Sequence, residues 1–465
     1  MSDKKNPIRD TVLYAPKNGF DTLSAKERKE MEKYNEDYKR FLSVSKTERK
    51  CVHSAIALAE KKGFKPYQRG MKLKAGDKIY VNNRDKAIML AVIGKESLAE
   101  GVNIGAAHTD APRLDLKPRP VFEDTELAYL KTHYYGGIRK YQWMTIPLEL
   151  HGVVTLRDGS LVSVDIGDKP EDPKFIISDL LPHLAHKQNQ KPLAEVFNPE
   201  NLNLLIGSEP MADDEGKERV KLHALQWLYE NYGIVEEDLI SAEISAVPTG
   251  EACDIGFDRS MIAGYGHDDR VCAYAELAAL LDCKNPARTA VCIFADKEEI
   301  GSHGVSGMRS TAFDAFMEDL CAGEGVLLRE CYENSFCLSA DVTAAFDPGW
   351  GELYERNNSA YLNYGIGLCK YTGGNGKNGA SDASAEVVGM VRKLFNDNGV
   401  RWQMAELGKQ EIGGGGTVAQ FMAERNIDTL DAGVPVLSMH APCETVAKFD
   451  CYMTYRGMKT IFEKR

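Results

Sequence analysis

The sequence predicts an α/β protein with a mostly parallel central sheet, helices on both faces of that sheet, and a β-rich insertion that interrupts it. Strand-like and helix-like segments alternate after Ser245, which is typical of parallel sheets with helical crossovers. Short apolar runs between residues 78 and 107 continue the same pattern. Residues 113–244 contain antiparallel hairpin signals instead. We therefore expect both ends of the chain to build one α/β domain around a separate insertion.

The expected elements follow in chain order. Two helices are expected between Thr22 and about Lys62, and Ser24 and Glu27 have the spacing of a capping box at the start of the first. A hairpin is expected where apolar runs at residues 153–156 and 161–164 flank Asp158-Gly159. Further strands are expected at residues 78–81, 86–93, 102–107, 289–295, 336–340 and 434–439, and further helices at 269–281, from about 310, and at 383–396.

Length and composition are those of a globular protein. The chain has 465 residues, of which 43% are hydrophobic and 27% are charged, and this excludes disorder and a collagen-like repeat. At roughly 150 residues per domain, the length predicts two or three domains, or one large domain with an insertion. The 11 cysteines form no Cys-x-x-Cys pair and indicate reduced, buried thiols rather than disulfides or a thiolate zinc site.

The charge distribution narrows the class of partner. The net charge is −12 and the sequence has no block of Lys or Arg, whereas nucleic acids and anionic membranes are bound by clustered positive charge. A peptide or a small molecule is therefore the expected partner. No apolar run approaches the ~20 residues of a membrane span, and the start of the chain lacks the apolar core of a signal peptide. These features predict a cytoplasmic protein.

Several of the apolar runs predicted as strands are followed by an acidic residue or a histidine. These polar residues are His108, the pair Glu298-Glu299, Asp341 and His440. Because the carboxyl ends of strands in an open α/β sheet line one crevice, we expect these side chains to converge. A single histidine at a strand end is more often a structural hydrogen-bonding group than a ligand, so the prediction depends on the whole set.

Neighbouring carboxylates add to this set. Asp110 follows His108 by two residues and could accept the second imidazole N–H. Asp268 and Asp269 open a helix after a Gly-rich segment, so either an N-cap or a bridging metal ligand is open for Asp268, with Asp269 or Arg270 orienting it.

The adjacent glutamates Glu298 and Glu299 would repel each other unless they shared a cation or a proton. One as metal ligand and the other as general base is chemically economical, although a solvated charged loop is the alternative. Two histidines with three carboxylates suit Zn²⁺, Mn²⁺ or Co²⁺ in a catalytic site. Five ligands are more than the four that one tetrahedral ion binds, but they fit two ions that share a bridging aspartate.

Six short segments that contain these residues match the motifs of a known family. The segments are Ala107-His-Thr-Asp110, Asp268-Asp-Arg270, Asp296-Lys-Glu-Glu-Ile-Gly301, Ser339-Ala-Asp-Val342, Gly413-Gly-Gly-Gly-Thr417 and Ser438-Met-His440. The chain resembles the aspartyl aminopeptidase family of dinuclear metallo-aminopeptidases, and more closely its bacterial branch. Each tripeptide alone is weak, but six in family order are specific.

The resemblance implies a zinc-aminopeptidase-like catalytic domain of residues 1–112 and 245–465, and a β-rich dimerisation domain of residues 113–244. It makes Asp268 the bridging ligand, places His108 and Asp341 on one ion, and places Glu299 and His440 on the other. Glu298 becomes the general base, and Asp110 supports His108. The family also implies assembly into dodecamers built from dimers.

The resemblance also implies contacts with substrate. His183 matches a histidine that reaches the neighbouring subunit's site and stabilises the oxyanion, although His186 lies three residues further along. Lys377 and Gly415 lie in segments that the family uses around the substrate, and Lys377 is equally compatible with an exposed loop lysine. Residues 343–347 differ from the histidine-containing stretch of animal members, so the preference for acidic N-terminal residues stays open.

The resulting hypothesis is an aminopeptidase in which a hydroxide held between two divalent ions releases the N-terminal residue of a peptide. Zinc is the expected metal, with manganese or cobalt as alternatives. Two alternatives stay open on the residues alone. One is another dinuclear amide hydrolase, such as a deacylase of N-acyl amino acids. The other is a non-catalytic assembly protein that keeps the fold.

Overall fold

The computed structural model describes residues 8–212, 214–375 and 378–465. Within these ranges the α-helices are α1 (Arg9–Val12), α2 (Ala25–Val44), α3 (Glu48–Lys61), α4 (Leu193–Val196), α5 (Arg219–Tyr232), α6 (His267–Asp282), α7 (Ala312–Glu324), α8 (Leu328–Glu333), α9 (Ala385–Asp397), α10 (Ala419–Ala423) and α11 (Lys448–Lys464). Among the described residues, we find no helix with both the length and the apolar character that a bilayer span requires.

The strands form three sheets. In chain order they are β1 (Lys65–Pro66), β2 (Lys78–Asn83), β3 (Ala87–Val92), β4 (Asn103–His108), β5 (Arg113–Asp124), β6 (Leu127–Tyr135), β7 (Leu148–Thr155), β8 (Leu161–Ile166), β9 (Leu204–Gly207), β10 (Ala242–Pro248), β11 (Cys253–Ile255), β12 (Met261–Gly264), β13 (Ala290–Ala295), β14 (Phe336–Ser339), β15 (Thr343–Ala344), β16 (Ile366–Cys369), β17 (Trp402–Met404), β18 (Asp428–Gly433), β19 (Pro435–Leu437) and β20 (Glu444–Ala447).

The largest sheet is the predicted central sheet. It has nine strands in the order β1-β2-β3-β13-β4-β14-β18-β16-β17. Its middle strands β13, β4, β14 and β18 are parallel, and antiparallel pairs lie toward the edges, at β2-β3, β3-β13 and β18-β16. Strands β3, β4 and β13 are buried along their whole length, as expected when both faces of a sheet are covered.

Side chains of the central strands alternate between two hydrophobic cores. Ile88 and Leu90 of β3 pack in one core with helices α2, α3, α6, α9 and α11. Met89 and Ala91 of the same strand pack in the other with α7, α8 and α10. Because successive strand residues point to opposite faces, helices must cover both sides of the sheet. The predicted fold class is confirmed.

Most predicted elements lie close to their observed positions. The capping box at the start of α2 is present, since the Ser24 side chain accepts a hydrogen bond from Glu27 N and the Glu27 side chain accepts one from Ser24 N. The strand predicted at residues 434–439 is present as the shorter β19, but it lies in another sheet. The strand that the chain contributes to the central sheet here is β18, which was not predicted. Strand β18 was missed because its two aspartates interrupt the apolar pattern of a buried strand. It ends before Pro435 because proline has no backbone N–H to donate to a neighbouring strand.

The second sheet is antiparallel and has six strands in the order β8-β7-β10-β5-β6-β9. All of its strands lie between Arg113 and Pro248. The predicted hairpin is present as β7 and β8, with Val153 opposite Ser163 and Gly159 in the left-handed region at φ +85°. Strand β10 extends past the predicted boundary at residue 244, and the division into a catalytic and a dimerisation domain stays a prediction.

The third sheet was not predicted. It has five short strands in the order β11-β12-β20-β19-β15. Strand β12 ends three residues before His267, at the start of α6, and the loop between β19 and β20 contains His440. This sheet therefore sets the position of two segments that carry predicted ligands.

A partly buried charge cluster joins the start of α3 to the second sheet. The His151 imidazole lies between two carboxylates, with Nδ1 2.8 Å from Asp165 Oδ1 and Nε2 2.9 Å from Glu149 Oε1. Lys46 Nζ lies 3.5 Å from Glu149, and Lys50 Nζ lies 2.8 Å from Asp165 and 3.9 Å from the exposed Asp168. Burial lowers the pKa of His151, but the hydrogen bonds that its imidazole donates to Asp165 and Glu149 outweigh burial and raise the pKa above its usual value.

This cluster predicts a pH-dependent contribution to stability. A histidine whose pKa is raised by folding stabilises the folded state below its unfolded pKa of about 6.5, and that contribution is lost as the pH rises through the folded pKa. We expect His151→Gln to lower Tm more at pH 6 than at pH 9, as measured by calorimetry. His133→Gln, on an exposed position of β6, is the control and should show no such difference. An equal loss for His151→Gln at both pH values would contradict the prediction.

Candidate metal centre

Three adjacent strands bring predicted ligands to one edge of the central sheet. Strands β13, β4 and β14 are neighbours and run parallel. Strand β4 ends at His108, β13 ends three residues before a 3₁₀ helix at Glu298–Ile300, and β14 ends two residues before Asp341. The expectation that these residues meet at the carboxyl ends of strands is confirmed for this set.

The other two predicted ligands arrive from outside that edge. Asp268 lies at the start of α6, where it and Asp269 have non-helical backbone angles and are joined by a cis peptide bond. His440 follows β19 of the third sheet, so the prediction that it ends a strand of the central sheet is wrong. The third sheet nevertheless carries His440 to the same place.

Asp268 lies between the two histidines. Its Oδ1 is 3.2 Å from His108 Nε2, and its Oδ2 is 3.1 Å from His440 Nε2. On one side, His108 Nε2 lies 3.8 Å from Asp341 Oδ1, and on the other, His440 Nε2 lies 3.6 Å from Glu299 Oε2. Each oxygen of one carboxylate therefore faces a separate histidine and carboxylate pair.

The second nitrogen of each imidazole has a backbone acceptor. His108 Nδ1 is 2.9 Å from the carbonyl oxygen of Asp110 and 3.3 Å from its Oδ1. His440 Nδ1 is 3.0 Å from the carbonyl oxygen of Gly137. Because a carbonyl can only accept, each Nδ1 carries the proton, and Nε2 is the nitrogen that faces Asp268. Imidazoles oriented in this way are suited to metal binding.

The side chain of Asp110 accepts hydrogen bonds from several groups, in addition to its contact with His108. Its Oδ1 accepts the backbone N–H of Glu298 at 3.1 Å, and its Oδ2 accepts that of Glu299 at 3.1 Å and the hydroxyl of Tyr135 at 2.8 Å. The residue is fully buried. Asp110 thus fixes the turn that carries both glutamates, in addition to its contact with His108.

Electrostatics at this centre favour a bound cation. Burial raises the pKa of Glu298 to about 7, and burial also raises the pKa of Glu299 and of Asp341 well above the usual range. Burial would lower the pKa of His440, yet the hydrogen bond to Asp268 and the nearby Glu299 raise it to about 10. Buried carboxylates that cannot all ionise, beside imidazoles that gain protons, indicate an excess of negative charge that a divalent cation would offset.

The donor atoms fit that cation. One atom each of His108, Asp268 and Glu299 lie within 4.8 Å of one another, and the same holds for His108, Asp269 and Asp341. Glu299 Oε1 is buried without a hydrogen-bond partner among the described residues. Imidazole nitrogens and carboxylate oxygens without thiolates suit zinc, manganese or cobalt. The ligand roles of the individual residues stay a prediction.

Sequence reasoning missed Glu444. Its Oε2 accepts the backbone N–H of Asp268 at 3.0 Å, and its Oε1 accepts that of His440 at 2.7 Å. The side chain is 1% exposed. One buried carboxylate therefore ties together the two segments that arrive from outside the central sheet. The available signal was a glutamate four residues after His440, at the start of a short apolar run.

Sequence reasoning also missed Tyr135, the donor to Asp110, and Asp431 of β18. Asp431 Oδ1 accepts a hydrogen bond at 3.0 Å from Ser339 Oγ, and Ser339 lies two residues before Asp341 in the chain. Tyr135 is followed by Gly136-Gly137, and a glycine pair after a strand was the signal for a close backbone approach.

The predicted substrate contacts differ in how the structure places them. Gly415 lies on the wall of a cavity of about 250 Å³ that Asp431 also lines, together with Val342 and Thr343, the two residues that follow Asp341 in the chain. His183 lies exposed in a 3₁₀ helix at Pro182–Leu184, and His186 is exposed nearby. Among the described residues, no hydrogen bond or ion pair joins either histidine to the metal centre. Lys377 lies outside the described residues.

Comparison with known proteins identifies the family. The family described as Aminopeptidase I zinc metalloprotease (M18) matches residues 41–462. A probable M18 family aminopeptidase 1 of Clostridium acetobutylicum is 48% identical over 454 residues, which cover 96% of this chain and 98% of that protein. The crystal structure of an M18 family aminopeptidase from Thermotoga maritima has a TM-score of 0.94 at 42% identity and covers 97% of this chain and 100% of that chain.

A more distant structure shares the fold. The S. cerevisiae mApe1 dodecamer has a TM-score of 0.75 at 21% identity, over 92% of this chain and 95% of that chain. The matches at higher identity extend over nearly the whole length of both proteins. The chain therefore belongs to the M18 family of zinc metallo-aminopeptidases, as its motifs predicted.

Proposed function

We propose that this aminopeptidase acts through two divalent ions held on either side of Asp268. The observation that carries the proposal is the position of that carboxylate, whose two oxygens lie 3.2 and 3.1 Å from the Nε2 atoms of different histidines. His108 and Asp341 would hold one ion, and His440 and Glu299 the other. Zinc is the expected metal, with manganese or cobalt as alternatives.

Bound ions would lower the pKa of a water molecule and polarise the first peptide carbonyl. The protein supplies the proton transfer. Glu298 lies in the turn that Asp110 fixes, next to Glu299, and its pKa responds to the charges of both His108 and His440. We propose that Glu298 takes the proton from the attacking water and gives it to the leaving amine.

Substrate binding is proposed for the cavity beyond Asp341. A volume of about 250 Å³ accommodates one large amino-acid side chain, and the wall residues Val342 and Thr343 directly follow a proposed ligand. We propose that the side chain of the N-terminal residue enters this cavity, with Gly415 on its wall and Lys377 nearby in the chain. Glu406 and Lys409 also line the cavity, so its charge is mixed.

Assembly and location extend the proposal. The related yeast protein forms a dodecamer, and the segment around His183 exposes Leu180, Leu181 and Leu184, the last of which is 67% exposed. We propose a homo-oligomer, built from dimers into a dodecamer, in which His183 reaches a neighbouring site. Peptides are the proposed substrates and the cytoplasm the proposed location, without nucleic-acid or membrane partners.

The roles of the two glutamates predict opposite effects. Glu298→Gln removes the base and retains the ligands, so we expect both ions to stay bound while kcat falls about 10²- to 10⁴-fold. Glu299→Ala should instead reduce the metal content. Elemental analysis and the rate of hydrolysis of an aminoacyl substrate with a free amine measure the two effects, with the N-acylated analogue as the negative control. A fully active Glu298→Gln variant would exclude that residue as the base.

The cavity proposal predicts a change in substrate affinity. A Cβ at Gly415 would meet nothing within 4 Å, so Gly415→Val should fold normally and place methyl groups in the cavity. We expect KM to rise for bulky N-terminal residues, while metal content stays unchanged. Gly389→Val is the matched control, since Gly389 of α9 has equally open surroundings and does not line the cavity. An unchanged KM in the Gly415 variant would count against the cavity as the substrate subsite.

The assembly proposal predicts a difference between two nearby histidines. If His183 reaches a neighbouring site, His183→Ala should lower kcat, while His186→Ala should leave it close to that of the wild type. Mass photometry should show a dodecamer for both variants. Equal activity of the two variants would contradict the role of His183, and a monomeric wild-type protein would contradict the assembly.

A further inference from the structure

The second sheet reaches the metal centre through three consecutive residues. Tyr135 is the last residue of β6, and Gly136 and Gly137 follow it. The Tyr135 hydroxyl donates to Asp110 Oδ2 at 2.8 Å, and the Gly137 carbonyl oxygen lies 3.0 Å from His440 Nδ1. We call residues 135–137 the Tyr-Gly-Gly segment. It contacts one residue on each side of Asp268, although its sheet contributes no proposed ligand.

The Tyr135 ring is held in place before it reaches Asp110. Arg113 lies directly opposite Tyr135 in the β5-β6 ladder, and its guanidinium lies 4.0 Å from the centre of the ring. Arg113 is itself held by Asp115 at 2.8 Å and by Glu48 at 3.3 Å. The ring is 8% exposed. A cation stacked on a buried ring restricts its rotation, so the direction of the hydroxyl is fixed.

The two glycines allow the backbone to come close to the ligands. A Cβ on Gly137 would lie 3.2 Å from His440 Nδ1, and a Cβ on Gly136 would lie 3.2 Å from Glu299 Oε2. Gly136 also has φ +75°, in the region that favours glycine. With side chains at these positions, the Gly137 carbonyl could not approach the imidazole as it does without displacing it.

We propose that the Tyr-Gly-Gly segment is a positioning element of the aminopeptidase site, an inference that rests on the two-ion function proposed above. The Tyr135 hydroxyl orients Asp110, which in turn fixes His108 and the turn of the two glutamates. The Gly137 carbonyl fixes the proton of His440 on Nδ1 and so directs Nε2 toward Asp268. The second sheet thus controls the geometry of the ligands on both sides of the bridging carboxylate.

A purely structural role would have a different signature. If the Tyr135 hydroxyl only satisfied a buried carboxylate, its loss would lower the stability of the fold and leave metal affinity unchanged. Outer hydrogen bonds to metal ligands typically account for about 10- to 100-fold in metal affinity or activity. The two roles are therefore separated by measuring metal affinity and Tm on the same variant.

The first experiment removes only the hydroxyl. Tyr135→Phe keeps the ring under Arg113, and we expect metal affinity or kcat to fall about 10- to 100-fold with little change in KM. The matched control is Tyr134→Phe, the preceding residue of β6, which is 44% exposed. Competition with a zinc chelator measures affinity, and aminoacyl hydrolysis measures kcat and KM. Wild-type affinity and kcat in Tyr135→Phe, with or without a lower Tm, would overturn the proposal.

The second experiment tests the other end of the segment. Gly137 does not have a positive φ, so Gly137→Ala leaves the backbone allowed and presses the new methyl group against His440. We expect one of the two ions to bind more weakly than in the wild type. Gly207→Ala is the control, because in β9 of the same sheet its Cβ would make an ordinary 3.5 Å contact with Val220. Two equally retained ions in Gly137→Ala would contradict the role of Gly137.

The wild-type protein separates this proposal from the function on which it rests. A wild type that binds no divalent ion, or that binds two and hydrolyses no aminoacyl substrate, would refute the proposed function. A wild type with two ions and activity, together with unaffected Tyr135→Phe and Gly137→Ala variants, would refute the positioning role alone.

Discussion

The concentration of carboxylates at one edge of the central sheet is the constraint on which the rest of the structure depends. The acidic side chains there are Asp110, Asp268, Asp269, Asp341, Glu298, Glu299 and Glu444. Like charges in a buried site disfavour one another's ionised forms, and burial alone already disfavours each. Cations, protons or hydrogen-bond donors must therefore offset the charge in the folded protein. The arrangement of the sheets around the centre supplies the donors, and the proposed ions would supply the cations.

The carboxylates divide into two groups by what they face. Asp110 and Glu444 accept backbone N–H groups, from Glu298 and Glu299 in the first case and from Asp268 and His440 in the second. Both residues are buried, so each of these backbone N–H groups depends on its carboxyl oxygen for a partner. These two residues therefore fix the backbone that carries the proposed ligands. Asp269 likewise accepts the backbone N–H of His108 at 3.3 Å. Asp268, Asp341 and Glu299 are left as the proposed ligands, on a backbone that these hydrogen bonds hold in place.

The sequence was informative where an apolar strand ends in a polar residue. His108 and Asp341 were found in this way because β4 and β14 are buried strands with a clear apolar pattern. The third sheet was not found, since its strands are two to four residues long and too short to show a period. Glu444 was missed with it, because its role exists only once two distant segments meet. His440 was also predicted from the apolar run before it, but that strand, β19, belongs to the third sheet and not to the central one.

The path of the chain connects the second sheet to the metal centre at two points. The chain leaves the metal centre at Asp110 and enters β5 at Arg113, and it returns to the centre at Tyr135, the end of β6. Arg113 and Tyr135 are opposite each other in register, so exit and return lie side by side. A displacement of this hairpin would move the acceptor of His440 and the donor to Asp110 together. The second sheet is therefore joined to both sides of the centre by covalent and hydrogen-bonded connections a few residues long.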